Sequence, residues 1–122
     1  MSITEAKNGS IVDLNALLVK IRLAERFIYD HYRSGESMIS DVAWMHDPPK
    51  TDMLVWARQY PGKMTLGPSS VPSSIHLYSA REEGRWIIEF NLWFDERESD
   101  LTASLDYDED TGIITIEDLH VM

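Results

Sequence analysis

The spacing of apolar residues changes once along the chain, and this change limits the fold more than any other feature. In residues 14–32, apolar side chains recur at steps of three and four, which predicts one long amphipathic helix over residues 11–33. From residue 75 onward, apolar and polar side chains alternate, as in RWIIEFNLWF (85–94), which predicts strands. A helix that must bury one stripe and a sheet that must bury one face are expected to pack together as an α+β domain.

The ends of these elements carry recognisable signals. Ser10 and Asp13 have the spacing of a capping box at the start of the helix, while Arg33 and Gly35 are typical of its end. Connections of four to six residues separate the predicted strands, which favours an antiparallel meander. The four strands are expected at residues 75–80, 85–94, 101–107 and 113–122, with DERESD (95–100) as the second turn.

The middle of the chain gives weaker signals. SMISDVAWM (37–45) predicts a short strand, TDMLVWARQY (51–60) a short helix capped by Thr51, and residues 61–74 a surface loop. The second face of strand 85–94 carries Ile87 and Trp93, which a fully solvated face does not need. Three covers for this face remain open: the 37–72 segment, a second copy of the chain in a homodimer, or another partner.

Length and composition define a general class. A chain of 122 residues is expected to form a single domain over residues 1–122, with residues 1–9 flexible. No apolar run approaches the ~20 residues of a membrane-spanning helix, and the start has no secretory signal, so we expect a cytoplasmic protein without a membrane partner. The chain has no cysteine, which excludes disulfides and thiolate chemistry.

The charge of the chain is unevenly distributed. The net charge of −10 argues against nucleic acid as a partner, because Lys and Arg supply most of the affinity for phosphates. Residues 1–81 hold eight acids and nine bases, whereas residues 82–118 hold thirteen acids against only Arg85 and Arg97. Solubility explains a single acidic turn, but the excess in this one segment indicates a basic protein partner.

Most of this excess falls in two predicted turns, which a meander places at opposite ends of its sheet. An exposed aromatic residue beside one of them, Trp93, could anchor a partner that charge alone would hold weakly. The predicted partner-binding residues are Trp93, Asp95, Glu96, Glu98, Asp100, Asp108, Glu109 and Asp110.

The segment DYDEDTGIITIE (106–117) resembles a calcium loop in the positions of its carboxylates. Such a loop needs glycine at its sixth position and helices on both sides, but the sixth position is Thr111 and the flanking residues have strand character. A β-hairpin explains the same residues, with Gly112 supplying a positive φ angle. We therefore predict a hairpin and no metal site.

Other catalytic signatures are weak. His31, His46, His76 and His120 have no metal-binding spacing, and His31 is expected to have a structural role at the helix end. His76, His120 and Asp118 could share a site if their strands are neighbours, although chance placement is the more frequent explanation. We predict no catalytic residue and no cofactor.

The helix, the strand GRWIIEFNLWF and the hairpin YDEDTGIITIEDLHV together resemble the NTF2-like or cystatin-like immunity proteins that bacteria pair with polymorphic or contact-dependent toxins. The resemblance implies an inhibitor that blocks the basic active site of a nuclease-type toxin with its acidic surface. The alternative from another class is an NTF2-like small-molecule-binding protein or enzyme. Its pocket would lie between helix and sheet and would be lined by Tyr29, Tyr32, Trp86 and Phe90.

Overall fold

A computed structural model of the protein describes residues 14–45, 49–67, 75–79 and 84–121. Within them, two helices pack on one face of a curled sheet, which confirms the α+β class. The elements are α1 (Leu14–Ser34), β1 (Val42–Trp44), α2 (Pro49–Gln59), β2 (Met64–Thr65), β3 (Ile75–Ser79), β4 (Arg85–Phe94), β5 (Arg97–Asp108) and β6 (Ile114–Val121).

Helix α1 forms because its apolar residues lie on one stripe. Leu17, Ile21, Ala24 and Ile28 are buried in the core, as the helical spacing predicts. The helix ends at Gly35, whose φ of +84° lets its amide donate to the carbonyl of His31 at 2.9 Å. Ser10, Asp13 and the flexible segment predicted for residues 1–9 lie outside the described residues.

The sheet contains the predicted meander but is larger and mixed. Strands β3, β4, β5 and β6 pair in order, each antiparallel to the next. Strand β1 adds to β6 in parallel, with Val42 opposite Ile114, so the expectation of a purely antiparallel sheet was wrong. The reason is that the edge of β6 would otherwise be unpaired, and a strand distant in sequence can approach it in either direction.

The middle segment is partly as predicted. Strand β1 falls within residues 37–45, and α2 is present, although it begins at Pro49 rather than after Thr51. Proline is favoured in the first turn of a helix because no hydrogen bond is lost there. The predicted loop 61–74 contains a two-residue strand, β2, which pairs with the end of β4; residues 68–74 lie outside the described residues.

The turn between β4 and β5 is shorter than predicted. Only Asp95 and Glu96 form it, with φ angles of 52° and 61°, and β5 already begins at Arg97. Two left-handed residues match the right-handed twist of a hairpin, so the strands continue to the turn. The prediction of a six-residue turn over DERESD was therefore wrong. Two-residue turns usually contain glycine, and this segment has none, so the sequence did not indicate so short a turn.

Alternation along β4 determines which face is buried. Trp86, Ile88, Phe90, Leu92 and Phe94 are buried against the helices, as predicted. Ile87 and Trp93 on the second face are half-buried. A Cβ atom at Gly67 would lie 2.9 Å from the indole nitrogen of Trp93, so the 37–72 segment supplies part of the cover over this face. Neither described helix is long and apolar enough to cross a membrane.

Candidate functional site

The acidic residues of the two turns lie at opposite ends of the sheet, as the meander predicted. Strand β5 connects them, and its 12 residues span about 40 Å at roughly 3.4 Å per residue. Asp95, Glu96, Glu98 and Asp100 lie at the β4–β5 end, and Asp108, Glu109 and Asp110 at the β5–β6 end. The predicted set therefore forms two separate surfaces rather than one.

A bulge in β5 shapes the β4–β5 end. Asn91 is opposite Thr102 and Trp93 is opposite Glu98, so three residues of β5 face the single residue Leu92 of β4. The hydroxyl of Ser99 donates to the carbonyl of Leu92 at 2.6 Å and holds this geometry. The bulge allows Asp100 to leave the regular strand position.

The carboxylates at this end accept hydrogen bonds from neutral donors. Asp95 accepts from the backbone amide of Lys63 at 3.1 Å, Glu98 from the side-chain amide of Asn91 at 2.8 Å, and Asp100 from the hydroxyl of Tyr60. The hydrogen bond to Asp100, with burial as a smaller cause, raises the pKa of Tyr60. Because neutral donors leave the negative charge in place, the bonds to Asp95 and Asp100 position these two carboxylates without neutralising them.

A concavity of about 510 Å³ opens beside these carboxylates. Tyr60 and Phe94 form its aromatic wall, with ring centroids 4.6 Å apart and planes at 42°. The remaining lining residues are Pro61, Asp95, Arg97, Glu98 and Ser99. Charged, aromatic and backbone groups therefore converge at this end of the sheet.

The most exposed indole near this end belongs to Trp56, which the sequence reasoning did not select. Trp56 lies on α2 with 55% of its surface exposed, and the amide of Tyr60 donates to its carbonyl at 3.1 Å. This helical bond places the two aromatic residues four apart on the same face. The four-residue spacing of the two aromatic residues in WARQY (56–60) was the sequence signal that could have identified this pair. The predicted anchor, Trp93, is half-buried next to Gly67 and remains a prediction.

The acids of the β5–β6 end have structural contacts. Glu109 accepts a hydrogen bond from the indole N–H of Trp86, and Asp108 accepts from the amide of Asp110 at 2.9 Å. Burial, followed by the charges of Glu109 and Asp108, raises the pKa of Tyr107. Strands lie on both sides of this turn and Gly112 has a φ of +73°, which confirms the hairpin reading of DYDEDTGIITIE.

The histidines do not form one site. His120 lies between two carboxylates, 3.7 Å from Glu89 and 3.3 Å from Asp118. His76 lies on β3 and His120 on β6, and the two strands β4 and β5 separate them in the sheet. Buried His31 packs against Phe27 and Trp44 at the end of α1, and His46 lies outside the described residues. Among the described residues, no group of three His, Asp or Glu is arranged to hold a metal.

The pocket expected between helix and sheet coincides with the core. Trp86 and Phe90 are fully buried, and Tyr29 and Tyr32 pack against the same cluster. Tyr32 makes an edge contact with Phe94 at 6.3 Å. Trp86 and Phe90 therefore fill the interior, while Tyr29 and Tyr32 lie half-buried at its edge.

Alanine at Gly62 is expected to destabilise the fold by roughly 1–2 kcal/mol. Gly62 has a φ of +93°, and a Cβ atom there would clash with the carboxylate oxygen Oδ2 of Asp95. Gly35 is the matched control, because its φ is +84° and its Cβ would meet nothing within 4 Å. Denaturant unfolding should show a smaller loss for Gly35→Ala; equal losses would mean that the contact with Asp95 has no energetic weight.

Glu117→Gln is expected to stabilise the protein at pH 7 by up to about 0.5 kcal/mol. Glu117 is the extra residue of a bulge in β6, and burial together with the charge of Asp106 raises its pKa above 4.5, against a smaller opposite effect of Arg85. The folded state thus binds this proton more tightly than the unfolded state, so the ionised group opposes folding above the raised pKa.

The advantage of the glutamine variant should therefore shrink as the pH falls from the raised pKa toward 4.5. Thermal unfolding of both proteins between pH 4 and 7 measures this difference. A constant difference across that range would contradict the assigned pKa shift.

Comparison with known proteins identifies a family but no activity. No curated protein and no solved structure matches the chain. A family model described as a domain of unknown function, DUF7668, matches residues 24–122, which include the second half of α1 and all the later elements. Because this match covers well over half of the sequence, the chain belongs to the DUF7668 family.

Proposed function

We propose that this protein is an acidic protein-binding module, an immunity or inhibitor protein that neutralises a cationic, nuclease-type toxin in the bacterial cytoplasm by covering its basic site. One observation carries the proposal. The carboxylates of Asp95, Glu96, Asp100 and Asp110 form no ion pair with a Lys or Arg among the described residues, so their charge remains available to a partner.

The β4–β5 end is the better candidate for the contact. It combines four carboxylates with the concavity and the exposed indole of Trp56. Aromatic side chains that lose their water on binding supply much of the binding energy at interfaces, which charge alone does not provide. At the other end, Asp108 and Glu109 support the turn and the buried Trp86. We propose an NTF2-like or cystatin-like arrangement for the sheet, on which this end would be a rim.

Two single substitutions that change charge equally at the two ends test the proposal. Glu96 and Asp110 are both exposed turn residues. Glu96→Lys and Asp110→Lys each replace a negative charge with a positive one, which raises the net charge by two units without disturbing the core. We expect Glu96→Lys to slow association with the partner by about tenfold at low salt, and Asp110→Lys to have a smaller effect.

The partner is obtained by affinity capture from the source cells with the wild-type protein, and its binding is then measured with both variants at increasing salt. A basic protein whose binding weakens with salt and with Glu96→Lys supports the proposal. An acidic partner, or a binding strength independent of salt and of both substitutions, would overturn it.

A further inference from the structure

We infer that the concavity beside the β4–β5 turn receives an arginine side chain from the basic partner. This inference rests on the proposed function and adds the chemistry of the contact. It follows from two properties of the concavity, an aromatic wall and carboxylates at its mouth, and a third feature, Arg97 at the rim, provides a test.

The aromatic wall is held in a fixed position. The hydroxyl of Tyr60 donates a hydrogen bond to Asp100, and its ring packs on Phe94, the second residue of the wall, which is only 4% exposed. Tyr60 itself is half-buried, so part of its ring faces the opening. A planar guanidinium can stack on such a ring, whereas a strongly hydrated ammonium gains less from this contact.

The carboxylate of Asp95, at the mouth of the concavity, retains acceptor capacity. Asp95 accepts one described hydrogen bond, from the Lys63 amide at 3.1 Å, although a carboxylate has about four acceptor positions. Glu98 lines the same opening. Two carboxylates beside an aromatic wall fit the fork of donors on a guanidinium, which binds carboxylates through paired hydrogen bonds.

Arg97 places a positive charge at the rim of the concavity, where it opposes a bound cation. It lies at the rim, is exposed, and forms no ion pair with another described residue. A bound guanidinium would therefore feel one nearby like charge, which Arg97→Ala removes. If the concavity instead received an acidic side chain, Arg97 would be its partner and the same substitution would weaken binding.

The experiment uses three capped tripeptides, glycine-X-glycine with X as arginine, lysine or citrulline, and the isotope-labelled full chain. Citrulline keeps the planar shape of arginine without its charge, and lysine keeps the charge without the plane. Titrations followed by NMR at low salt report both affinity and location. Glu98→Gln and Arg97→Ala are surface variants, and thermal unfolding checks that both remain folded.

We expect arginine to bind most tightly, with shifts concentrated at residues 60, 61 and 94–99. Glu98→Gln should weaken this binding by about fivefold, the upper range for an exposed ion pair, and Arg97→Ala should strengthen it about twofold or more. Equal binding of lysine and arginine, shifts divided between both acidic ends, weaker binding in Arg97→Ala, or no binding would each overturn the inference.

These outcomes are separate from the test of the proposed function. A basic partner captured from cells could bind through the β5–β6 end, in which case the module would stand and the arginine site would not. If no basic partner is captured and the peptide does not bind at the β4–β5 end, both conclusions fail.

Discussion

Trp86→Ala is expected to destabilise the protein by about 3–5 kcal/mol, the usual range for removing a buried aromatic side chain. Trp86 has no exposed surface, lies in the core cluster, and donates its indole N–H to Glu109. The substitution therefore leaves a cavity in the core, and it also leaves Glu109 without the indole N–H that donates to it. A loss of this size is a large fraction of the 5–15 kcal/mol that typically stabilises a domain.

Trp56→Ala is the matched control, because it removes the same side chain from an exposed position. We expect it to change the free energy of unfolding by less than about 0.5 kcal/mol. Denaturant unfolding of the two variants, followed by circular dichroism, measures the contrast. Similar losses in both would show that Trp86 is less well packed, or Trp56 better packed, than the structure indicates.

Trp86→Phe divides the effect of the first substitution into its parts. Phenylalanine keeps an aromatic ring in the core but has no N–H group for Glu109. The loss in Trp86→Phe combines a smaller cavity with the missing hydrogen bond, whereas Glu109→Ala removes the hydrogen bond and leaves the core side chains unchanged. A measurable loss in Glu109→Ala would establish that Glu109 supports the fold, which weighs against it as a partner-binding residue.

Periodicity predicted the elements whose burial follows a regular spacing. The stripe of α1 and the alternation of β4 each place most apolar residues on one face, so the existence and the buried sides of both elements could be read from the sequence. The opposite placement of the two acidic turns followed from the meander. The hairpin over residues 106–117 followed from the position of Gly112.

Features that depend on contacts distant in sequence could not be predicted. The hydrogen bond between Tyr60 and Asp100 joins residues forty positions apart, and Asp100 lies within the bulge of β5. The parallel pairing of β1 with β6 is likewise a tertiary choice. The turn at Asp95 and Glu96 was predicted at the right place but too long, because left-handed backbone at two acidic residues has no strong sequence signal.

Identification of the candidate site divides in the same way. The sequence indicated the acidic residues of the β4–β5 end from their local clustering. It could not show that α2 brings aromatic residues to the same place, because the weak pattern of α2 does not reveal which of its faces is exposed. The sequence alone gives no reason to prefer Trp93 or Trp56 as the anchor, because both are tryptophans. The structure distinguishes them: Trp56 is exposed, whereas Trp93 is half-buried.

Trp56→Ala is expected to weaken binding of the captured basic partner by about thirtyfold, which corresponds to the roughly 2 kcal/mol of an interface hot spot. The exposed indole of Trp56 lies one helical turn from Tyr60, whose hydroxyl is bonded to Asp100, so an apolar contact and the negative charge would meet the same partner surface. Charge steers the encounter, whereas a desolvated aromatic contact slows dissociation, so the effect should fall mainly on the dissociation rate.

Biolayer interferometry at about 0.15 M salt measures both rates, and Trp93→Ala serves as the comparison because Trp93 is the alternative anchor. Faster dissociation from Trp56→Ala with an unchanged unfolding temperature would assign the anchor to α2. If Trp93→Ala instead removes binding while remaining as stable as the wild type, the anchor lies on β4. Because Trp93 is half-buried beside Gly67, that result would require the partner to displace the chain's own segment 66–67 from its indole.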